Sequence, residues 1–340
     1  MLSLAVLLGA CSAAPASTST IAPTTPPPSA TPAATPSASA APSDSPTPAP
    51  SASAAAAFPV TLTDDEGTKV SIAAQPTKIV SLMPAVTETL FALGVGDKLV
   101  GKAQDISLYP PQASAVPDVE KFDNGAVAVD VEKIVASKAD LVIAGGDYGT
   151  PTDTVTKLRG LGIPVLVVYA PNVAGVMSDI TLIGKAVGKP DAAAAMASQM
   201  QAAFDAVKAA VSSAPSPRVY YEIGEGYAPA DGSFLAEMIT DAGGMPITSG
   251  STTKWDLSAE KLLKADPQIV LLADFTKVAD AVKRPGWLTL TAVKNNAVAV
   301  IDDTMISRPG PRLYLGLQLL AAAIHPDLTI PQTSPIPAVP

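Results

Sequence analysis

Two glutamates carry the pattern in this chain with the clearest chemical meaning. Glu132-Lys133-Ile134-Val135-Ala136-Ser137-Lys138-Ala139-Asp140-Leu141-Val142-Ile143 aligns without gaps to Glu260-Lys261-Leu262-Leu263-Lys264-Ala265-Asp266-Pro267-Gln268-Ile269-Val270-Leu271, at an offset of 128 residues. Each copy predicts a short helix that opens on a glutamate, ends near a carboxylate-bearing turn and feeds a buried strand. A carboxylate in a first helical turn gains about 0.3–1 kcal/mol from the helix dipole, which suffices to explain one such residue. Two at equivalent positions also suit a pair of carboxylates spaced to meet basic pockets on a two-fold symmetric partner.

Other chemistry is mostly excluded. The chain has one histidine, His325, at the end of the last predicted helix, where a capping or surface role is expected. Its one cysteine is Cys11, so no disulfide can form within the chain, and zinc sites and Cys/His nucleophile systems lack their parts. There is no Gly-x-Ser-x-Gly turn and no Walker A sequence, and Gly94-Val95-Gly96 follows a helix rather than a strand. Asp303 with Glu225 is the one titratable pair that an enzyme reading could offer. The aromatics are scarce, at 4 %, and four fall in loops between predicted strands: Tyr109, Phe122, Tyr227 and Trp255. Such rings could grip a flat ligand in a crevice, or pack beneath their own loops.

The elements that must position these groups follow from composition. With 34 Pro and only 16 % charged residues, the chain divides into a biased part and a folded part. Residues 1–11 end in Leu8-Gly9-Ala10-Cys11, which resembles a bacterial lipobox, in which the cysteine is lipidated and becomes the new N-terminus. No Lys or Arg precedes this run, so the natural start is expected to lie upstream. Residues 12–57 collapse to Ala, Pro, Ser and Thr with Asp44 as the single charge, the composition of a disordered tether. From Phe58 to Leu328, β-rich apolar runs alternate with helical patterns, which predicts an α/β fold with mostly parallel sheets. The pattern restarts after Pro215-Ser216-Pro217, giving an N-terminal lobe at 58–174, an interlobe helix region at 175–214, a C-terminal lobe at 215–328 and a flexible tail at 329–340. The net charge of −9 and the absence of a basic cluster argue against a nucleic-acid partner.

At Lys78-Ile79-Val80-Ser81-Leu82-Met83-Pro84, Thr87-Glu88, Gly94 to Gly101, Tyr109-Pro110-Pro111-Gln112-Ala113, Ala242-Gly243-Gly244 and Arg308-Pro309-Gly310-Pro311-Arg312, the chain resembles the substrate-binding proteins of ABC importers for cobalamin, haem and ferric siderophores. The resemblance implies two α/β lobes joined by one long rigid helix, a ligand cleft between them, and no enzymatic activity. It implies a likewise monomeric protein, anchored by lipid to the outer face of the cell membrane, that serves an ABC permease dimer with cytoplasmic ATPase subunits. Glu132 and Glu260 match its permease-docking glutamates, and Glu88 and Glu237 match a secondary pair of exposed acids. Tyr109, Phe122, Tyr227, Trp255, Asp303 and Arg308 match ligand contacts, most closely those of the cobalamin branch. Haem and ferric siderophores are the alternative ligands, and each would bring its own metal, so no cofactor or protein metal site is expected. Glu120 stands where a glycine is usual and Phe122 where a tryptophan is usual, both at positions that touch the cleft, and Ala139 stands where a proline is usual. An envelope sensor or adhesion domain, or a chelatase-like envelope enzyme, could share the same bilobal form.

Overall fold

The computed structural model describes residues 58–123, 126–146, 149–251 and 255–333. Cys11, the tether at 12–57 and the last residues of the tail lie outside these, and so do the readings made on them.

The described chain opens on a hairpin, β1 (Val60–Thr63) and β2 (Lys69–Ile72), which is separate from the two main sheets. The N-terminal lobe continues through β3 (Ile79–Leu82), α1 (Pro84–Ala92), β4 (Leu99–Ala103), β5 (Asp118–Asp123), β6 (Ala126–Val129), α2 (Val131–Ser137), β7 (Leu141–Gly145), α3 (Thr152–Gly160), β8 (Val165–Val168) and α4 (Val173–Ala186). The 22-residue α5 (Pro190–Val211) leads to the C-terminal lobe. That lobe comprises β9 (Arg218–Glu222), α6 (Phe234–Asp241), β10 (Met245–Pro246), α7 (Ala259–Ala265), β11 (Ile269–Ala273), α8 (Val278–Ala281), α9 (Thr291–Lys294), β12 (Val298–Ile301), α10 (Asp303–Ile306) and α11 (Leu313–Ile324).

The first lobe holds a six-stranded sheet in the order β6-β5-β4-β3-β7-β8, parallel except for β6 against β5. The second holds a four-stranded parallel sheet, β10-β9-β11-β12. Every residue of β3, β7 and β8 is buried, because helices cover both faces of a parallel sheet and leave no polar side to alternate toward. The fold is therefore the two-lobed α/β architecture that the alternation predicts.

The internal match is a structural repeat. Helices α2 and α7 are each seven residues long; Asp130 caps the first by accepting from Lys133 N and Ser258 caps the second by accepting from Lys261 N. Lys138 and Asp266, 128 positions apart, both take the left-handed conformation that ends these helices (φ 57° and 42°). The next residues drop into β7 and β11 at the same offset.

Between the lobes, Gly188 (φ +76°) stops α4 and Pro190 opens α5, which returns along α4. The two helices touch at Gly184, where a Cβ would come within 2.2 Å of the Ala193 Cβ, so only glycine permits this approach. Further on, α5 packs against α6 and α11. One hydrophobic cluster consequently runs from Ile79 and Leu141 through Met200 and Phe204 to Leu271 and Leu320.

Buried Asp179 on α4 faces Asp65, which follows β1. Burial, and then the hydrogen bond to Asp65, push its pKa up from 3.8 to about 9. The native state therefore keeps a proton that the unfolded chain releases above about pH 4. Stability contributed by this group is complete at low pH and is lost as pH rises toward 9, by at most ~1.4 kcal/mol per unit. Asp179→Asn removes the titration, so its melting-temperature advantage over the wild type should widen between pH 5 and pH 8. An advantage that stays constant across that range would show that Asp179 ionises normally.

Candidate functional site

In an open parallel sheet the strand C-termini and the loops that follow them form the natural crevice. Here the two sheets bring these ends together. From the first lobe come Met83 and Pro84 after β3, Gln104 after β4, Glu120 and Phe122 on β5, Gly145 and Gly146 at the end of β7, and Tyr169 after β8. From the second come Ile223 after β9, Phe234 at the start of α6, Trp255, and Ser307 and Arg308 after α10. Together they enclose a predominantly apolar cleft of about 530 Å³.

The six predicted ligand residues are distributed unevenly about it. Phe122, 67 % exposed, borders the cleft from one lobe and half-buried Trp255 borders it from the other. Arg308 also borders it, but its guanidinium forms a two-pronged pair with Asp105 at 2.8 and 2.6 Å across the lobes. Burial pushes the Asp105 pKa up, yet Arg308 and the amides of Ser107 and Tyr109 outweigh it and hold the carboxyl below its ordinary value. Asp303 stands behind the wall: it accepts from the Tyr221 hydroxyl and from Ser307 Oγ, and so orients a residue that does line the cleft. Tyr109 is half-buried with the Arg312 guanidinium 3.6 Å above its ring, a cation–π contact that occupies one ring face. Tyr227 is exposed and pairs in short β-bridges with Gly224 and Asp256. Neither Tyr109 nor Tyr227 borders the cleft.

Two residues expected to be exposed acids are not. Glu88 is 3 % exposed, inside an α1 that is buried nearly all round, and it meets Arg312 in a two-pronged pair at 2.9 and 3.0 Å. Burial raises its pKa and Arg312 opposes that rise. Glu237 is half-buried, and its Oε2 accepts from Val173 N at the start of α4, 2.8 Å away. Both acids tie one lobe to the other, Glu88 from α1 to Arg312 just before α11 and Glu237 from α6 to the start of α4. His325 ends α11, as expected, but is buried beside Gly243 rather than on the surface.

Glu132 and Glu260 are exposed, in the first turns of α2 and α7. Lys157 approaches Glu132 to 4.0 Å, an exposed pairing of little energetic weight. The helix caps are Asp130 and Ser258, so neither glutamate is needed to close its helix.

Sequence reasoning placed Glu120 at the cleft, where it lies, but left Tyr169, Phe234 and Met83 out of the set of cleft contacts. The available signal was positional: Met83 and Tyr169 immediately follow buried strands, and Phe234 opens a helix after one. Among the described residues there is no cluster of His, Cys, Asp or Glu that could hold a metal, and no helix long and apolar enough to cross a membrane.

Residues 79–305 match the periplasmic binding protein family. The chain belongs to that family. It is 32 % identical over 278 residues, 79 % of this chain and 87 % of the relative, to an uncharacterized ABC transporter substrate-binding lipoprotein of Bacillus subtilis. It is 31 % identical over 283 residues, 80 % of this chain and 75 % of the relative, to a cobalamin-binding protein of Halobacterium salinarum. Among solved structures, the periplasmic vitamin B12-binding protein of Vibrio cholerae superposes with a TM-score of 0.66 at 26 % identity, covering 74 % of this chain and 97 % of that one. This chain is thus an extracytoplasmic substrate-binding protein of an ABC transporter, and like the rest of the family it is a solute binder and not an enzyme.

Proposed function

We propose that the protein captures a cobalamin-like corrinoid in the interlobe cleft and delivers it to an ABC permease. The observation that carries this reading is the cleft itself, apolar and about 530 Å³, with an aromatic ring from each lobe at Phe122 and Trp255. Flat apolar surfaces on both sides suit a large planar macrocycle, and the resemblance to two cobalamin binders supports the choice among chelates. The metal arrives with the ligand, so the protein supplies no cofactor site. Lipid on Cys11 holds the protein at the membrane, and the tether at 12–57 lets the folded part reach the permease. Glu132 and Glu260 then dock one lobe each onto the permease, and ATP hydrolysis proceeds on the cytoplasmic subunits.

Titrating the purified protein with cyanocobalamin, haemin and a ferric hydroxamate, followed by gel filtration, tests the ligand. Cyanocobalamin should co-elute. Trp255→Ala should then weaken its binding by roughly 30-fold, the ~2 kcal/mol typical of removing a central aromatic contact. Retention of haemin or the hydroxamate alone would leave the transport role standing and reassign the ligand.

A further inference from the structure

Glu120 enters the cleft from β5, and its Oε2 is buried with no hydrogen-bond partner. The other buried side-chain atom in that condition among the described residues, His325 Nε2, sits beside Gly243 at the far end of α11 and does not border the cleft. A polar atom left buried and unpaired is costly, and such atoms in native proteins call for an explanation. Here the position supplies one, because the free oxygen belongs to a residue that a bound ligand would meet.

The charge state follows from the surroundings. Burial pushes the Glu120 carboxyl up to about 8, so at pH 7 it is mostly neutral and carries one O–H donor beside an acceptor oxygen. Neighbouring charges are already paired: Lys102 with Asp118 across β4 and β5, Asp130 with Lys133 at the start of α2, and Arg308 with Asp105 opposite. Lys121, next along β5, also has a partner of its own. Among the described lining residues, the one cation is therefore Arg308, and it is committed to Asp105. A ligand edged with carboxylates would find no unpaired positive charge among the described lining residues. A primary carboxamide instead suits a neutral carboxyl, which can donate its O–H to the amide carbonyl or accept from the amide N–H.

We infer that Glu120 is the specificity-determining residue of the cleft, selecting a ligand edge that carries carboxamides over one that carries carboxylates. The inference rests on the corrinoid reading, since a corrinoid rim bears carboxamides where a haem bears carboxylates. Ionisation of Glu120 removes the donor, so affinity falls as pH climbs above about 8, approaching tenfold per unit. Asp179, pushed up to about 9, ionises in the same range from its place against Asp65. A Glu120→Gln variant separates the two, because it stays neutral, keeps a donor and an acceptor, and leaves Asp179 untouched.

The test is a fluorescence titration of the full chain, as wild type, E120Q and E120A, with cyanocobalamin and with a corrinoid hydrolysed to peripheral carboxylates, from pH 6 to pH 9.5. Wild type should prefer the amide form at pH 7 and lose affinity above pH 8. E120Q should bind within a few-fold of wild type at pH 7 without the alkaline fall, and E120A should bind about 5–50-fold more weakly with a flat profile. Melting curves should show both variants at least as stable as wild type at pH 8, since each removes a buried titrating acid. An E120A affinity equal to wild type, or an alkaline fall that persists in E120Q, overturns this inference alone. Failure of the wild type to bind cyanocobalamin at any pH overturns the corrinoid reading and this inference with it.

Discussion

Reversing both charges, with Glu132→Arg and Glu260→Arg, should reduce ligand uptake in cells by at least about 100-fold while leaving the affinity of the isolated protein within twofold. The estimate follows from the cost of mispairing charges at an interface, roughly 2–5 kcal/mol for each close pair. Both residues are exposed and neither serves as a helix cap, so folding should lose only about 0.3–1 kcal/mol of helix-dipole interaction at each position. Either single variant should fall between wild type and the double variant, because one lobe would still engage. The decisive comparison is uptake of labelled ligand against equilibrium binding of the same preparation. Undiminished uptake would remove the docking role, and a parallel loss of binding would place the defect in the cleft instead.

Arg312→Ala should be the most damaging single substitution for stability, at about 3–5 kcal/mol, because it strands the Glu88 carboxylate in a buried site without its partner. For a folded part of this size that corresponds to a fall in melting temperature on the order of 10 °C. Arg312 also covers the Tyr109 ring, so its removal uncovers that face as well. The double variant Glu88→Leu/Arg312→Met should recover most of the loss, because an apolar pair of similar volume needs no compensation. Thermal unfolding of Arg312→Ala and of the double variant settles the cause. If the double variant melts as low as Arg312→Ala, packing of the arginine stem rather than the unpaired charge is responsible.

These two experiments bear on parts of the molecule that differ in how far the sequence alone discloses them. The docking candidates were legible because they rest on local information. A helix start, its cap and the strand that follows fit within a dozen residues, and the same dozen recurs 128 positions on. The α/β class was legible for a related reason: Leu141–Gly145 and Ile269–Ala273 are continuous apolar runs, and such runs between helices leave few alternatives to a covered parallel sheet.

Glu88 was misjudged because its helix has little polar face from which exposure could be read, and its partner lies 224 residues away. Tyr109 looked like a ligand-gripping ring, since nothing local indicates that Arg312 covers it. Glu120 stood out in the sequence as a cleft position where a glycine is usual; its unpartnered oxygen is a property of the walls around it. The sequence by itself determined the order of elements, the repeat and the two exposed glutamates, because periodicity and capping act over a few residues. Only the tertiary structure decided which acids are tied across the lobes and which side chains share the cleft. Burial and ion pairing there depend on segments hundreds of residues apart, and no local pattern encodes that distance.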